Sequence, residues 1–264
     1  MGNHLKLIST EYLQEYSNKV KVDCFDILSK LKNHIKFSLE DFEYYTISSS
    51  IYSSKIEGNT LDVNSFFRNR EKKITPKKKE VREIETLMDS YKFASENKLN
   101  RTNFLKAHAL LSKTFLPVKE RGVLRKVQMG VRDTKTLKPV YLAVEPQYLK
   151  KEFTKLFDDI DELLKRELNS KEVFYFASMI HIWLAKIHPF SEGNGRSARL
   201  LEKWFLVSKL GVAAWSINSE KYYWDNRPEY YENIALGYNY YVLFWNRCIP
   251  FLLMLPMSLQ IKST

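Results

Sequence analysis

Residues 187–205 read IHPFSEGNGRSARLLEKWF, and the fold is decided by what flanks them. From Ser170 the apolar positions Val173, Ala177, Ile180, Leu184 and Ile187 advance in steps of three and four, which predicts a helix ending near His188-Pro189. A second helix begins after Asn194, carries Ala198, Leu201 and Phe205 on one side, and is closed by Gly211. Two core helices therefore flank HPFSEGNG. Gly193, Asn194 and Gly195 at the start of the second helix can turn successive amides toward one point, an anion nest reinforced by the positive helix end. Arg196 and Arg199 lie three apart and share a face. Cations at a helix N-terminus oppose its dipole unless an anion lies between them, so the pair points to a polyphosphate. Glu192 can offer one carboxylate oxygen to a divalent cation that keeps waters and phosphate oxygens, as magnesium prefers. His188 has the near-neutral pKa of a general base. Singly, such a histidine and glutamate read as structural or surface groups, but together with the nest and arginines they have no simple packing explanation. His181, seven residues before His188, is too distant and too poorly accompanied to make a zinc pair.

Upstream, SLEDFEYYTISSSIYSSKIEG (38–58) opens with a cap-like Ser38 and Asp41 three residues on, and ends at Gly58. It predicts one long helix whose serines imply close packing rather than high propensity. Glu57 stands in its last turn, where the dipole disfavours an anion. This error complements that of the two arginines, so an ion pair of Glu57 with Arg199 or Arg196 across the phosphate site is expected, making Glu57 an inhibitor of its own chain. Further helices are predicted over 81–95, 102–115 and 147–168. Between them VLRKVQMGV, a turn-like RDTKTLKP and VYLAV (123–144) form a β-hairpin signal, an element that can bind an extended segment by strand addition.

Across 264 residues, 44% hydrophobic and 14% aromatic content with only 8 Gly and 8 Pro exclude collagen-like, low-complexity and disordered classes. The 42 Lys and Arg against 31 Asp and Glu give +11, which attracts phosphates, nucleic acid or acidic proteins alike. The basic run at 68–83 has no interleaved aromatic residue and reads as a linker and helix start. No helix-turn-helix module follows residue 211, so a nucleic-acid-binding regulator is a disfavoured alternative. Two cysteines, Cys24 and Cys248, give neither a disulfide framework nor a zinc pair, and a cytoplasmic location is expected. The uncharged tail 248–261, broken by Pro250 and Pro256, is shorter than the roughly 20 residues of a membrane span and predicts a buried helix. Core packing and a homodimer contact fit it equally.

HPFSEGNGRSAR (188–199) resembles the motif His-Pro-Phe-x-Asp/Glu-Gly-Asn-Gly-Arg-x-x-Arg of the Fic family of AMP transferases at every fixed position. SSKIEGN (53–59) resembles the family's inhibitory motif, with Ser53 and Glu57 in its fixed places. The resemblance, from about 45 to 235, implies a mainly helical Fic fold: an all-α core with one β-hairpin flap beside the active-site loop. It divides the chain into an N-terminal helical region, 1–95, with the inhibitory helix at about 39–57, a Fic core at 96–240, and a C-terminal packing helix or tail at 241–264. It implies that His188 deprotonates a Ser, Thr or Tyr hydroxyl of a target protein, or of the chain itself, for attack on the α-phosphate of ATP. Glu192 would hold Mg²⁺. Gly193, Asn194, Gly195 and Arg196 would cradle the α- and β-phosphates, and Arg199 the γ-phosphate unless Glu57 occupies it. Tyr230 and Tyr231 resemble the aromatic pair near the adenine, with Asn239 beside the position where the family often has an Asn. Pro139, Val140 and Tyr141 would belong to the flap that registers the target. The same machinery can run in reverse and remove AMP, a direction these residues leave open.

Overall fold

The computed structural model describes residues 4–22, 37–72, 78–132 and 139–260, with the side chains of 70–72, 132 and 139 outside that description. Cys24, half of the basic run's side chains and the turn of the hairpin therefore lie outside the described residues. The architecture is mainly helical with one two-stranded antiparallel sheet, as expected. At its centre α7 (Ser170–Ile187) packs along α8 (Asn194–Leu210). Both are buried nearly all round: α7 is apolar on almost every face, whereas α8 also buries Arg196, Arg199, Glu202 and Lys203. Asn169 and Glu172 form a capping box that starts α7, and Gly211 at φ 88° ends α8.

The other elements wrap this pair. α2 (Leu39–Ile56) begins with the expected box, Asp41 N–H donating to Ser38 Oγ at 3.1 Å and Ser38 N–H to Asp41 Oδ2 at 2.9 Å. Its serines 49, 50, 53 and 54 are buried, which lets the helix backbone approach its neighbours closely. α4 (Lys78–Glu96) packs on α2 and on α5 (Arg101–Leu111), while α6 (Pro146–Lys165) covers α7. The run 68–83 divides between the end of α3 (Val63–Lys72) and the start of α4. α5 stops at Leu111, short of the expected 115, because the chain turns there toward Pro117. Arg121 then takes the carbonyls of Lys113 and Leu116 at 2.8 Å each. The short helices α9 (Ser219–Asp225) and α10 (Arg227–Ile234), like α1 (Leu13–Lys19), carry no long apolar repeat and are set by tertiary packing. α11 (Ile249–Met257) inserts Ile249, Phe251, Leu252, Met254 and Leu255 into the same core as α7, and α1 packs against it. Among the described residues no helix is long and apolar enough to cross a membrane.

A buried ion pair ties α2 to this frame. Lys203 Nζ on α8 lies 2.7 Å from Glu220 Oε2 on α9, both fully buried. Ser49 of α2 donates to Glu220 Oε2 at 3.1 Å and accepts from Lys203 at 3.2 Å, and Tyr91 of α4 donates to Glu220 Oε1 at 2.6 Å. Removing one member of such a pair strands the other's charge. Lys203→Met is expected to lower unfolding stability in urea by about 3 kcal/mol; a loss under about 1 kcal/mol would mean that Glu220 is compensated by other means.

Candidate functional site

The loop between α7 and α8 is fixed from four sides. His188 closes α7 in the left-handed region, φ 51° and ψ 61°, the one positive-φ non-glycine among the described residues. Histidine tolerates this conformation better than most residues, and its use at a candidate base is where backbone strain tends to be kept. The last carbonyls of α7 lack helical partners and take them from the hairpin region. Tyr141 Oη donates to Lys186 O at 2.7 Å, Arg125 Nε to His188 O at 2.7 Å, Arg125 Nη2 to Ile187 O at 3.4 Å, and Arg125 N–H to Pro189 O at 2.9 Å. Arg125 also reaches Val127 O and Val144 O, so a buried guanidinium bonded only to carbonyls welds the hairpin to the candidate base. On the far side of the loop, Asn194 Oδ1 accepts from Phe190 N–H at 2.9 Å and Asn194 Nδ2 donates to Phe190 O at 2.8 Å. Phe190 stacks on His108 with centroids 3.5 Å apart. Gly122 N–H donates to His108 Nδ1, so Nε2 carries the ring proton and donates to Glu192 O at 3.1 Å. Burial lowers the His108 pKa to about 4, consistent with that neutral tautomer.

The helix start where the anion nest is expected already holds a carboxylate. Arg199 is fully buried on the first turns of α8, donating Nη2 to Glu57 Oε1 at 2.7 Å, Nε to Ser53 Oγ at 2.8 Å and Nη2 to Ser53 O at 3.0 Å. A Cβ built on Gly195 would stand 2.3 Å from Glu57 Oε1, so the carboxylate rests directly over the glycine at the helix start. Burial pushes the Glu57 carboxyl up, but Arg199 and then Arg196 outweigh it and hold its pKa below the ordinary value. The expected ion pair thus forms with Arg199. Arg196 is instead bonded to Glu83 of α4, stacks on the Phe115 ring at 3.9 Å, and reaches Glu192 Oε1 at 3.5 Å. Burial raises the Glu83 pKa, more than Arg196 lowers it. Glu192 is exposed; its Oε1 accepts from Gly193 N–H at 3.0 Å, and no protein donor meets its second oxygen among the described residues.

Residues 98–206 match the Fic/DOC family. That stretch, from α5 into α8, matches as a Fic domain. A protein named Protein adenylyltransferase Fic, from Aedes aegypti, is 51% identical over 45 residues, covering 15% of this chain and 9% of that protein's length. A Fic family protein from Desulfovibrio desulfuricans superposes with TM-score 0.73 at 18% identity, over 96% of this chain and 73% of that one. A Fic domain containing signaling protein from Bacteroides thetaiotaomicron gives 0.67 at 19%, over 89% and 92%. These likenesses fix the fold.

Other sequence-predicted residues of the Fic domain and its flanks are distributed unevenly. Tyr230 is buried, with its hydroxyl 3.2 Å from Arg199 Nη1. Tyr231 is half-exposed and donates to Ile56 O at 3.0 Å, beside Glu57. Asn239 is not grouped with them: its Oδ1 accepts from Tyr241 and Val242 N–H, and its backbone bridges Leu142 at the hairpin edge. The hairpin pairs β1 (Gly130–Arg132) with β2 (Pro139–Leu142). Val140 and Leu142 face solvent, whereas Tyr141 points inward under Lys186. Arg125, His108 and Glu83 are site residues that the sequence does not single out. Each looks like an ordinary member of a helix or strand until tertiary packing brings its partner from 63 or more positions away.

Partial burial, then Arg125 and Lys186 beside it, lower the His188 pKa to about 4, against opposing contributions from the Ala185 carbonyl and Glu57. The sign follows: His188 is neutral, and able to accept a proton, at every pH above about 4 and loses that capacity below it. A histidine NMR titration is expected to give a midpoint near 4 for the resonance lost in His188→Ala; a midpoint near 6.5 would show an imidazole left in water.

Proposed function

We propose that the protein transfers AMP from ATP to a Ser, Thr or Tyr hydroxyl of a target protein and is restrained by Glu57. The observation that carries this reading is the Glu57 carboxylate seated over Gly195 and against Arg199, an anion standing where a phosphate would lie. In the transfer, the target hydroxyl oxygen attacks the α-phosphorus, its proton passes to His188, the bond from the α-phosphorus to the bridging oxygen breaks, and pyrophosphate leaves with that oxygen. Such reactions rest on positioning and charge stabilisation more than on covalent chemistry. The backbone amides at Gly193, Asn194 and Gly195 and the start of α8 would orient the α- and β-phosphates; the Asn194 side chain serves this by holding the loop shut. Arg196 approaches from the Glu83 and Phe115 side, and Arg199 takes the outermost phosphate once Glu57 withdraws. Glu192, a single exposed carboxylate with a free oxygen, fits Mg²⁺ bound through one protein ligand, and the ion would add charge neutralisation on the phosphates. Val140 and Leu142 supply the outward face of a flap against which an extended target segment can lie.

Restraint is a competition for Arg199. A buried ion pair of this geometry cannot be shared with a γ-phosphate, so ATP binds in a productive pose only as the Glu57 side chain leaves. Since Ser49 and the capping box hold the rest of α2, the movement belongs to the last turn, Ser53 to Gly58. Incubation with α-labelled ATP, Mg²⁺ and a cell lysate is expected to give protein-bound label at least about tenfold higher for Glu57→Gly than for wild type, the worth of about 1.4 kcal/mol. Adding His188→Ala should abolish it. No label in Glu57→Gly would contradict AMP transfer, and equal label in both would contradict the restraint.

A further inference from the structure

Tyr230 resembles an adenine contact by its place in the sequence, yet its surroundings are not those of a base-stacking wall. Its ring is enclosed by Tyr223, Tyr231 and Phe251, with centroids 4.9, 5.3 and 5.8 Å away. Its hydroxyl lies between two nitrogens, Arg199 Nη1 at 3.2 Å and His181 Nε2 at 2.9 Å. A guanidinium only donates, so the tyrosine oxygen accepts from Arg199 and sends its own proton toward His181. Nε2 is then the acceptor, and the ring proton sits on Nδ1, 2.7 Å from Glu202 Oε2. Tyr223 donates a second bond to the same oxygen at 2.9 Å. Every bond in the series runs one way, from Arg199 through Tyr230 and His181 to Glu202, because Arg199 at its head has no lone pair to offer.

The series ends on a fully buried carboxylate that has no Lys or Arg within ion-pair distance among the described residues. At its other end is a fully buried cation whose own counter-charge is Glu57. A buried charge without a partner is unfavourable, so Arg199 needs a second hold when Glu57 departs. Ser53, which supplies two of its other bonds, belongs to the same last turn of α2 that must move. Tyr230 is on α10 and stays behind.

We propose that Glu202, His181 and Tyr230 form a positioning relay that keeps the Arg199 guanidinium aimed into the nest after Glu57 withdraws. Tyr230 then acts on the outermost phosphate through Arg199 and not on the adenine. The proposal rests on the AMP-transfer reading and says which part of the nucleotide each group senses. ATP has the phosphate that Arg199 would hold and ADP lacks it, so damage to the relay must discriminate between the two nucleotides, whereas loss of a base contact or of packing would affect both alike.

The test is calorimetric titration of ATP and of ADP, each with Mg²⁺, into Glu57→Gly and into Glu57→Gly combined with Tyr230→Phe or with Glu202→Gln. Gln keeps an oxygen for His181 Nδ1–H but removes the charge, so it probes the relay without opening a cavity. ATP affinity is expected to fall about tenfold in the Tyr230→Phe combination, as for a lost hydrogen bond to a charged group. It should fall by a smaller factor with Glu202→Gln, and ADP affinity should stay within about twofold in both. Equal losses for ATP and ADP, or no loss for ATP in either combination, would overturn the relay. A Glu57→Gly protein that binds neither nucleotide would overturn the AMP-transfer reading itself, a result separate from both. Thermal unfolding of each variant shows whether a loss reflects folding, and if Tyr230→Phe is unfolded, the Glu202→Gln pair decides.

Discussion

A guanidinium buried without access to water stands at the start of α8, and much of the molecule is arranged around its charge. Arg199 bonds to three residues from two helices: Glu57 and Ser53 at the end of α2, and Tyr230 on α10. Both helices must be brought to it, so the placing of α2 and α10 against the start of α8 is inseparable from the state of this one side chain. The same charge cannot serve a carboxylate and a phosphate at once, and on the proposed reading that exclusion turns a packing feature into a restraint on chemistry.

The position of α2 is over-determined along most of its length. The capping box holds its start, and the buried Lys203 and Glu220 pair grips Ser49 in its middle. Its last turn is held instead by Arg199 on Glu57 and Ser53 and by Tyr231 on Ile56 O, and it ends at Gly58, whose φ of 104° is a conformation that favours glycine. Beneath it, the α7 to α8 loop is rigid for a different reason. Arg125 and Tyr141 satisfy the final carbonyls of α7, while Asn194 and His108 hold the other strand of the loop. The Glu57 carboxylate thus faces a tightly held loop and candidate base, and on the proposed reading this lets one side chain change occupancy without disturbing the site.

The central helices and the nest were legible in the sequence because local rules specify them. The three- and four-residue apolar steps from Val173 to Ile187, the glycines at 193 and 195, and the Ser38 box each act within a turn or two of chain. Glu57 was legible for a subtler reason: a charge placed against a helix dipole requires a partner, and the arginines at the other helix start had the opposite need. Local rules do not extend to Arg125, His108 or Glu83, whose roles exist only through partners far along the chain. Nor do they show that Tyr230 is turned inward, because an aromatic residue reads the same in sequence whether its ring faces a ligand or the core. The end of α5 at Leu111 was missed likewise, since the arginine that satisfies the following carbonyls is ten residues beyond it.

The most direct measurement of the account is a crystal structure of Glu57→Gly with Mg²⁺ and a non-hydrolysable ATP analogue. The account predicts the outermost phosphate within hydrogen-bond distance of Arg199, over Gly195 and in the space the Glu57 carboxylate fills here, with Arg199 still bonded to Tyr230. A nucleotide bound elsewhere, or one whose phosphates lie in the nest without touching Arg199, would contradict it.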